Sequence, residues 1–339
     1  MKNFILSVII LILLIFSCGN EKLNNYEINN LYNELEELEN KIKKEFQIIN
    51  DLVLDVSNFT SRLYNKQVRN INKKDIFDIN ENGVLYKKRN DGGAAVFVSG
   101  YHKVDEKIIN IVNLTEPLDS VFKAIMEYSY KNLDTNIVQI YYNDRHSYHR
   151  IYPFLDVIVQ YEPNIDITKF NFYYLADKNH NPEKKVVWIY EPYLDPAGRG
   201  WMISCIAPVY HNDTLQGVLG VDIIIRKLIS KFLKDKYNNV IIINKNGTLV
   251  ASNNYISNLL YLPTSEGDGY FGTITENTYR PQSHKVINHK IKEFREYFIK
   301  SSSEEIKYHY INYNGQGYHF IANMIPEFDW FLIKIIISN

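Results

Sequence analysis

Thirty-eight lysines and arginines against 39 aspartates and glutamates leave the 339-residue chain with a formal charge of −1, so it lacks the clustered cationic charge that phosphate backbones demand, and nucleic acid is excluded as a partner. A hydrophobic content of 45% over that length supports a sizeable core and about two globular units, and excludes a disordered chain. Cys18 and Cys205 are the only cysteines; one follows an apolar leader and the other lies in a strand-like run, which excludes a disulfide framework.

Lys2 precedes an apolar run from Phe4 to Phe16, followed by Ser17-Cys18-Gly19-Asn20, the layout of a secretory signal. A span needs about 20 apolar residues, so export and cleavage are expected and residues 1–18 are assigned to the leader. Leu14-Ile15-Phe16-Ser17-Cys18 resembles the bacterial lipobox, although Phe16 stands where a small residue is usual. That resemblance implies acyl chains on Cys18, holding the mature protein on a bacterial membrane and facing the periplasm or the cell surface.

Residues 19–70 read as one long helix, because Leu35, Ile42, Ile49, Val56 and Leu63 recur every seven positions. Leu31, Leu38, Leu52 and Phe59 form a second series broken by Glu45. Two uses of this seam stay open, packing on the chain's own sheets and pairing in a homodimer. A mixture is expected, since polar residues dominate 21–45 and the apolar stripe widens after Ile48.

Beyond Asn70 the pattern turns to strands over Gly83–Lys88, Ala94–Gly100, Ile137–Tyr142, Val186–Tyr190 and Trp201–Tyr210, with a helix over Glu116–Lys131. Gln216–Ile225 reads as a near-continuous apolar strand and Arg226–Tyr237 as a helix. A second round follows: a hairpin turning at Asn246-Gly247, a helix over Ile287–Lys300, and strands over Ile306–Tyr313, Tyr318–Met324 and Asp329–Ile337. Strands joined mostly by hairpins with helices to one side indicate an α+β chain of two antiparallel-sheet modules, 71–225 and 226–339.

The stretch from Trp188 to Asp222, with Tyr193-Leu194-Asp195, Ala207-Pro208-Val209-Tyr210 and Gly217-Val218-Leu219-Gly220-Val221-Asp222, resembles the double-Cache extracellular sensor domains of bacterial chemoreceptors and sensor kinases. Ile242–Ser252 and Ile325–Leu332 are likewise similar. The resemblance covers about residues 30–339 and implies a long helix followed by two PAS-like modules, the first membrane-distal and ligand-binding, the second membrane-proximal. Family members that bind amino acids or amines carry a Tyr-x-Asp and a later Asp, which here fall on Tyr193, Asp195 and Asp222. Two carboxylates and a phenol oxygen suit an ammonium with three donors. The family's Arg-x-Trp-Tyr falls on Phe170-Asn171-Phe172-Tyr173, which retains Tyr173 but puts a carboxylate clamp in doubt. Arg150 or Lys169 is a candidate substitute, and an amine is expected ahead of an α-amino acid. Asp195-Pro196-Ala197-Gly198 also reads as a type I turn and Asp222 as a backbone partner, and these alternatives stay open.

Gly267-Asp268-Gly269-Tyr270-Phe271-Gly272 satisfies GxGxxG, but it follows no strand and opens no clear helix, so it reads as a loop. The pairs His146/His149 and His284/His289 lack other ligands at metal-binding spacing. Without a nucleophile motif, metal site or cofactor loop, no enzyme and no cofactor are expected. The expected function is a sensor lipoprotein that captures a small amine or amino acid. Its closing strand near Asn339 leaves signalling to an unidentified membrane partner. The alternatives are a surface interaction protein that keeps the fold without a small ligand, and a hydrolase with an unrecognised site.

Overall fold

The computed structural model describes residues 22–66, 76–134, 137–195, 199–263, 284–303 and 306–338. Cys18 and the leader, residues 196–198 of the expected turn, and the GxGxxG loop lie outside them. The described chain forms two compact units, residues 42–231 and residues 22–41 with 232–263, 284–303 and 306–338. No described helix is long and apolar enough to cross a membrane.

Helix α1 (Asn25–Leu63) begins at a reciprocal cap. The Asn24 side chain accepts from the Tyr26 and Glu27 N–H groups, while Glu27 accepts from the Asn24 N–H. Its seven-residue seam is consumed inside the chain: Leu35, Ile42 and Ile49 are 0% exposed, Leu63 1% and Val56 4%. Packing on the chain's own sheets accounts for this seam, while exposed Tyr26 and Leu54 and half-buried Ile28, Leu31, Ile48, Leu52 and Phe59 stay at the surface of α1, and the homodimer remains a proposal. Glu45, the break in the second series, accepts the Asp134 backbone N–H at 3.0 Å.

The larger unit is built on an eight-stranded antiparallel sheet ordered β1-β2-β3-β5-β4-β8-β7-β6. Its strands are β1 (Phe77–Ile79), β2 (Leu85–Lys87), β3 (Ala95–Val98), β4 (Gln139–Asp144), β5 (Tyr148–Tyr152), β6 (Val187–Leu194), β7 (Trp201–His211) and β8 (Thr214–Ile224). On one face lie the later part of α1, helix α2 (Glu106–Leu114), capped by Asp105, and helix α3 (Leu118–Asn132). The other face is covered by residues 154–176, which include short helices at Val157–Gln160 and Asn171–Tyr174. Helix α2 and strands β1 and β5 are absent from the sequence reading, each being too short or too polar to display a clear period.

The smaller unit carries a five-stranded antiparallel sheet ordered β10-β9-β13-β12-β11. These strands are β9 (Val240–Asn244), β10 (Leu249–Ser252), β11 (Tyr308–Tyr313), β12 (Gln316–Ile325) and β13 (Trp330–Ser338). Asn314 and Gly315, both at positive φ, make the two-residue turn between β11 and β12. A terminal helix (Lys292–Ser303) packs Phe294, Tyr297 and Phe298 onto the sheet.

Candidate functional site

Alternation along the strands of the larger sheet sends one set of side chains toward the helices and the other toward the covering segment. Between the second set and that segment lies a cavity of about 50 Å³, room for a few water-sized groups. Gln139, Tyr141 and Asn143 of β4, His149 and Ile151 of β5, Met202 of β7 and Asp222 of β8 form its floor. Tyr161, Ile165, Ile167 and Phe172 close it from above, and Tyr193 and Asp195 complete one side.

Register assembles the chemistry. Asp222 pairs across β8 with Gln139 on β4 and with Ser204 on β7, so three polar residues stand in one row of the sheet. The Gln139 amide donates to Asp222 Oδ2, the Ser204 hydroxyl donates to Oδ1 at 2.5 Å, and the Tyr193 hydroxyl reaches Oδ1 at 3.2 Å. These partners are neutral, and Asp222 is 1% exposed. Desolvation, opposed by those hydrogen bonds, raises its carboxyl to about 6.

Asp195 is also 1% exposed but differently held. The Arg199 Nε donates to its Oδ2 at 2.5 Å, and the Arg199 backbone N–H donates to the same oxygen at 3.1 Å. The sequence reading gave the two carboxylates equal roles as ligand partners, whereas here one is already paired with a cation and the other meets only neutral donors.

Tyr141 lies in the next row, opposite Gly220. A Cβ on Gly220 would fall 2.3 Å from the Tyr141 ring and 2.4 Å from its hydroxyl, so the absent side chain is what lets this ring lie across β8. Burial followed by the charge of Asp222 pushes the Tyr141 hydroxyl pKa well up, and the hydroxyl interacts with both Ser204 and Asp222.

Two further expected site residues are elsewhere. Arg150 follows pocket-lining His149 on β5, and alternation turns it to the helix face. There it donates to Asp119, to the Tyr148 hydroxyl at 2.6 Å and to the Val112 carbonyl at 2.9 Å. Tyr173 packs with Ile167, Tyr193 and Met202 behind the cavity rather than lining it; burial and then the charge of Asp144 raise its hydroxyl. The ring that enters the cavity is its neighbour Phe172, which stacks on Phe170 at 5.2 Å. Lys169 is exposed and lies 3.7 Å from Asp166. Gln139, Asn143, Tyr161 and Ser204 are absent from the sequence reading, and His149 enters it only as half of a rejected metal pair; the signal was Gln-x-Tyr-x-Asn at strand spacing within Ile137–Asp144.

No family model matches the chain, and no curated protein sequence does. Solved structures do match. The sensory domain of the Campylobacter jejuni chemoreceptor Tlp3 aligns at a TM-score of 0.53 and 11% identity, over 92% of this chain and 93% of that one. The ligand-binding domain of the same receptor in complex with L-norvaline gives 0.51 and 11%, over 93% and 96%. The Pseudomonas fluorescens chemoreceptor CtaA domain in complex with L-isoleucine gives 0.50 and 11%, over 92% of each chain. At that identity the likeness is one of fold, and with a long first helix followed by eight- and five-stranded antiparallel sheets the chain has the double-Cache architecture of chemoreceptor sensory domains.

Proposed function

We propose that the protein is an exported small-ligand sensor, taking an amine or amino acid into the cavity of its larger unit and acting through a membrane partner. The observation that carries this reading is Asp222, a buried carboxylate beside a cavity, held by three neutral hydrogen-bond donors and no ion pair among the described residues. A buried charge without a counter-charge is costly to a fold, and an arriving ammonium removes that cost. Tyr141, Tyr161, Phe172 and Tyr193 supply rings around it, the environment in which a cation gains from aromatic faces as well. Asp195 is the secondary anion, its charge shared with Arg199. The fold also supports the reading, since the Tlp3 and CtaA domains similar in architecture are complexes with L-norvaline and L-isoleucine. The larger unit is then the membrane-distal module and the smaller unit the proximal one.

Calorimetry against a panel of amines and amino acids tests the site. Asp222→Asn is expected to weaken the best ligand by about a hundredfold, on the scale of a truncated buried charge pair. Unchanged affinity in a folded Asp222→Asn protein would remove the assignment. Lipidation at Cys18 belongs to the same proposal and rests on the lipobox-like sequence. Cys18→Ala is expected to leave the detergent-extracted membrane fraction, and an equally membrane-bound variant would refute the anchor.

A further inference from the structure

Two buried polar atoms along β4 have no hydrogen-bond partner among the described residues: Gln139 Oε1 and Asn143 Nδ2. Their residues are 6% and 0% exposed, and both line the cavity. Native folds leave few such groups unpaired, and when two open onto one cavity a ligand is the natural partner.

Their chemical characters differ from one end of the strand to the other. At the Gln139 end the Nε2 is committed to Asp222, which leaves Oε1 as an acceptor beside a carboxylate. At the Asn143 end the orientation is set by its cross-strand partner His149. Burial, reinforced by the charge of Arg199, lowers the His149 pKa to about 3, so the imidazole is neutral. A neutral imidazole carries one N–H. His149 Nε2 accepts from the Tyr161 hydroxyl at 3.3 Å, its Nδ1–H donates to Asn143 Oδ1, and Asn143 Nδ2 is left as a free donor.

We infer that β4 reads the ligand lengthwise, an ammonium lying at Asp222 and Gln139 Oε1 and a hydrogen-bond-accepting group lying at Asn143 Nδ2. This rests on the amine reading of the pocket and extends it to the far end of the molecule bound there. Gln139 and Asn143 are four residues apart, roughly 13 Å along a strand at 3.3 Å per residue. Allowing about 3 Å for a hydrogen bond at each end leaves about 7 Å, a gap that about five covalent bonds of ~1.5 Å cross. The ligand class is therefore an extended amine with an ether, hydroxyl, carbonyl or amide oxygen near the fifth bond, lying across the Tyr141 ring.

The test is a matched series on the full-length protein by calorimetry: 4-methoxybutylamine, its isostere n-hexylamine, and 1,5-diaminopentane, which places a donor at the far end. Wild type is expected to bind the ether about tenfold tighter than hexylamine, the scale of one buried hydrogen bond against an unsatisfied donor. Asn143→Leu should erase that preference while keeping hexylamine binding. Asn143→Asp, which still accepts from His149, should transfer the preference to the diamine. An ether preference that is absent in wild type, or that survives Asn143→Leu, overturns the inference and leaves the amine reading intact. Failure of wild type to bind any of the three also overturns the inference, while the amine reading falls only with the wider panel of amines and amino acids.

Discussion

The two antiparallel sheets solve the same covering problem in opposite ways. In the smaller unit the middle of the face beneath the terminal helix is filled with rings, and a groove lined by Tyr297 and His309 is left at its edge. Phe294 lies 5.0 Å from Tyr318 and 5.8 Å from Phe320, and Tyr297 lies 4.5 Å from Phe320. In the larger unit the face beneath residues 154–176 carries Gln139, Asn143, His149, Ser204 and Asp222 within apolar strands, and a cavity remains. Apolar side chains can close a space completely, whereas buried polar groups hold it open until something satisfies them. A few polar positions on one face are what separate an open Cache sheet from a filled one.

The strongest way to break this contrast is to empty the filled face. Phe294→Ala is expected to cost about 3–5 kcal/mol of stability, since the site has little freedom to collapse around a lost ring. Denaturant titration would show it as a shifted midpoint with an unchanged slope. A loss below about 1 kcal/mol would mean that this face is not tightly packed.

A smaller effect sharpens the contrast from the other side. Asp222 has its folded-state pKa raised to about 6 from 3.8, so between these values the folded state binds more protons than the unfolded one. Without ligand, stability is therefore expected to be full below pH 3.8 and to fall as pH rises to about 6, by of order 1–3 kcal/mol. Affinity for an ammonium should run the other way, rising through pH 6 as the carboxyl ionises. Asp222→Asn is expected to flatten both profiles and to raise the stability of the empty protein above pH 6. Thermal melts of wild type and variant between pH 4 and pH 8 read the first, and calorimetry over the same range reads the second. Equal pH dependence in the two proteins would show that Asp222 does not titrate in this window.

Most of the fold is legible in the sequence because it is written in local periods: the seven-residue series of α1, the apolar run of β8, the turns at Asn246-Gly247 and Asn314-Gly315. The Tyr193, Asp195 and Asp222 set is legible through a motif, and all three line one cavity. What stays hidden depends on pairing between distant strands. Ser204 and Gln139 matter because register sets them beside Asp222, and nothing local announces that. Arg150 misleads for the same reason, since one step of alternation separates the helix face from the pocket face and the pocket residue is the less conspicuous His149. The use of α1 is also unreadable from its seam, because a stripe buried on the chain's own sheets and one buried on a second chain share one pattern.

Gly220 and Tyr141 divide their labour in a way that bears on how the binding spectrum can drift. Any side chain at 220 collides with the ring opposite, so that position is closed to variation as long as Tyr141 keeps its place. Position 141 is open, because a smaller residue there deepens the cavity floor without moving β8. Cavity size can thus be retuned through a single codon, while the polar groups of Asp222, Gln139 and Asn143 stay as they are.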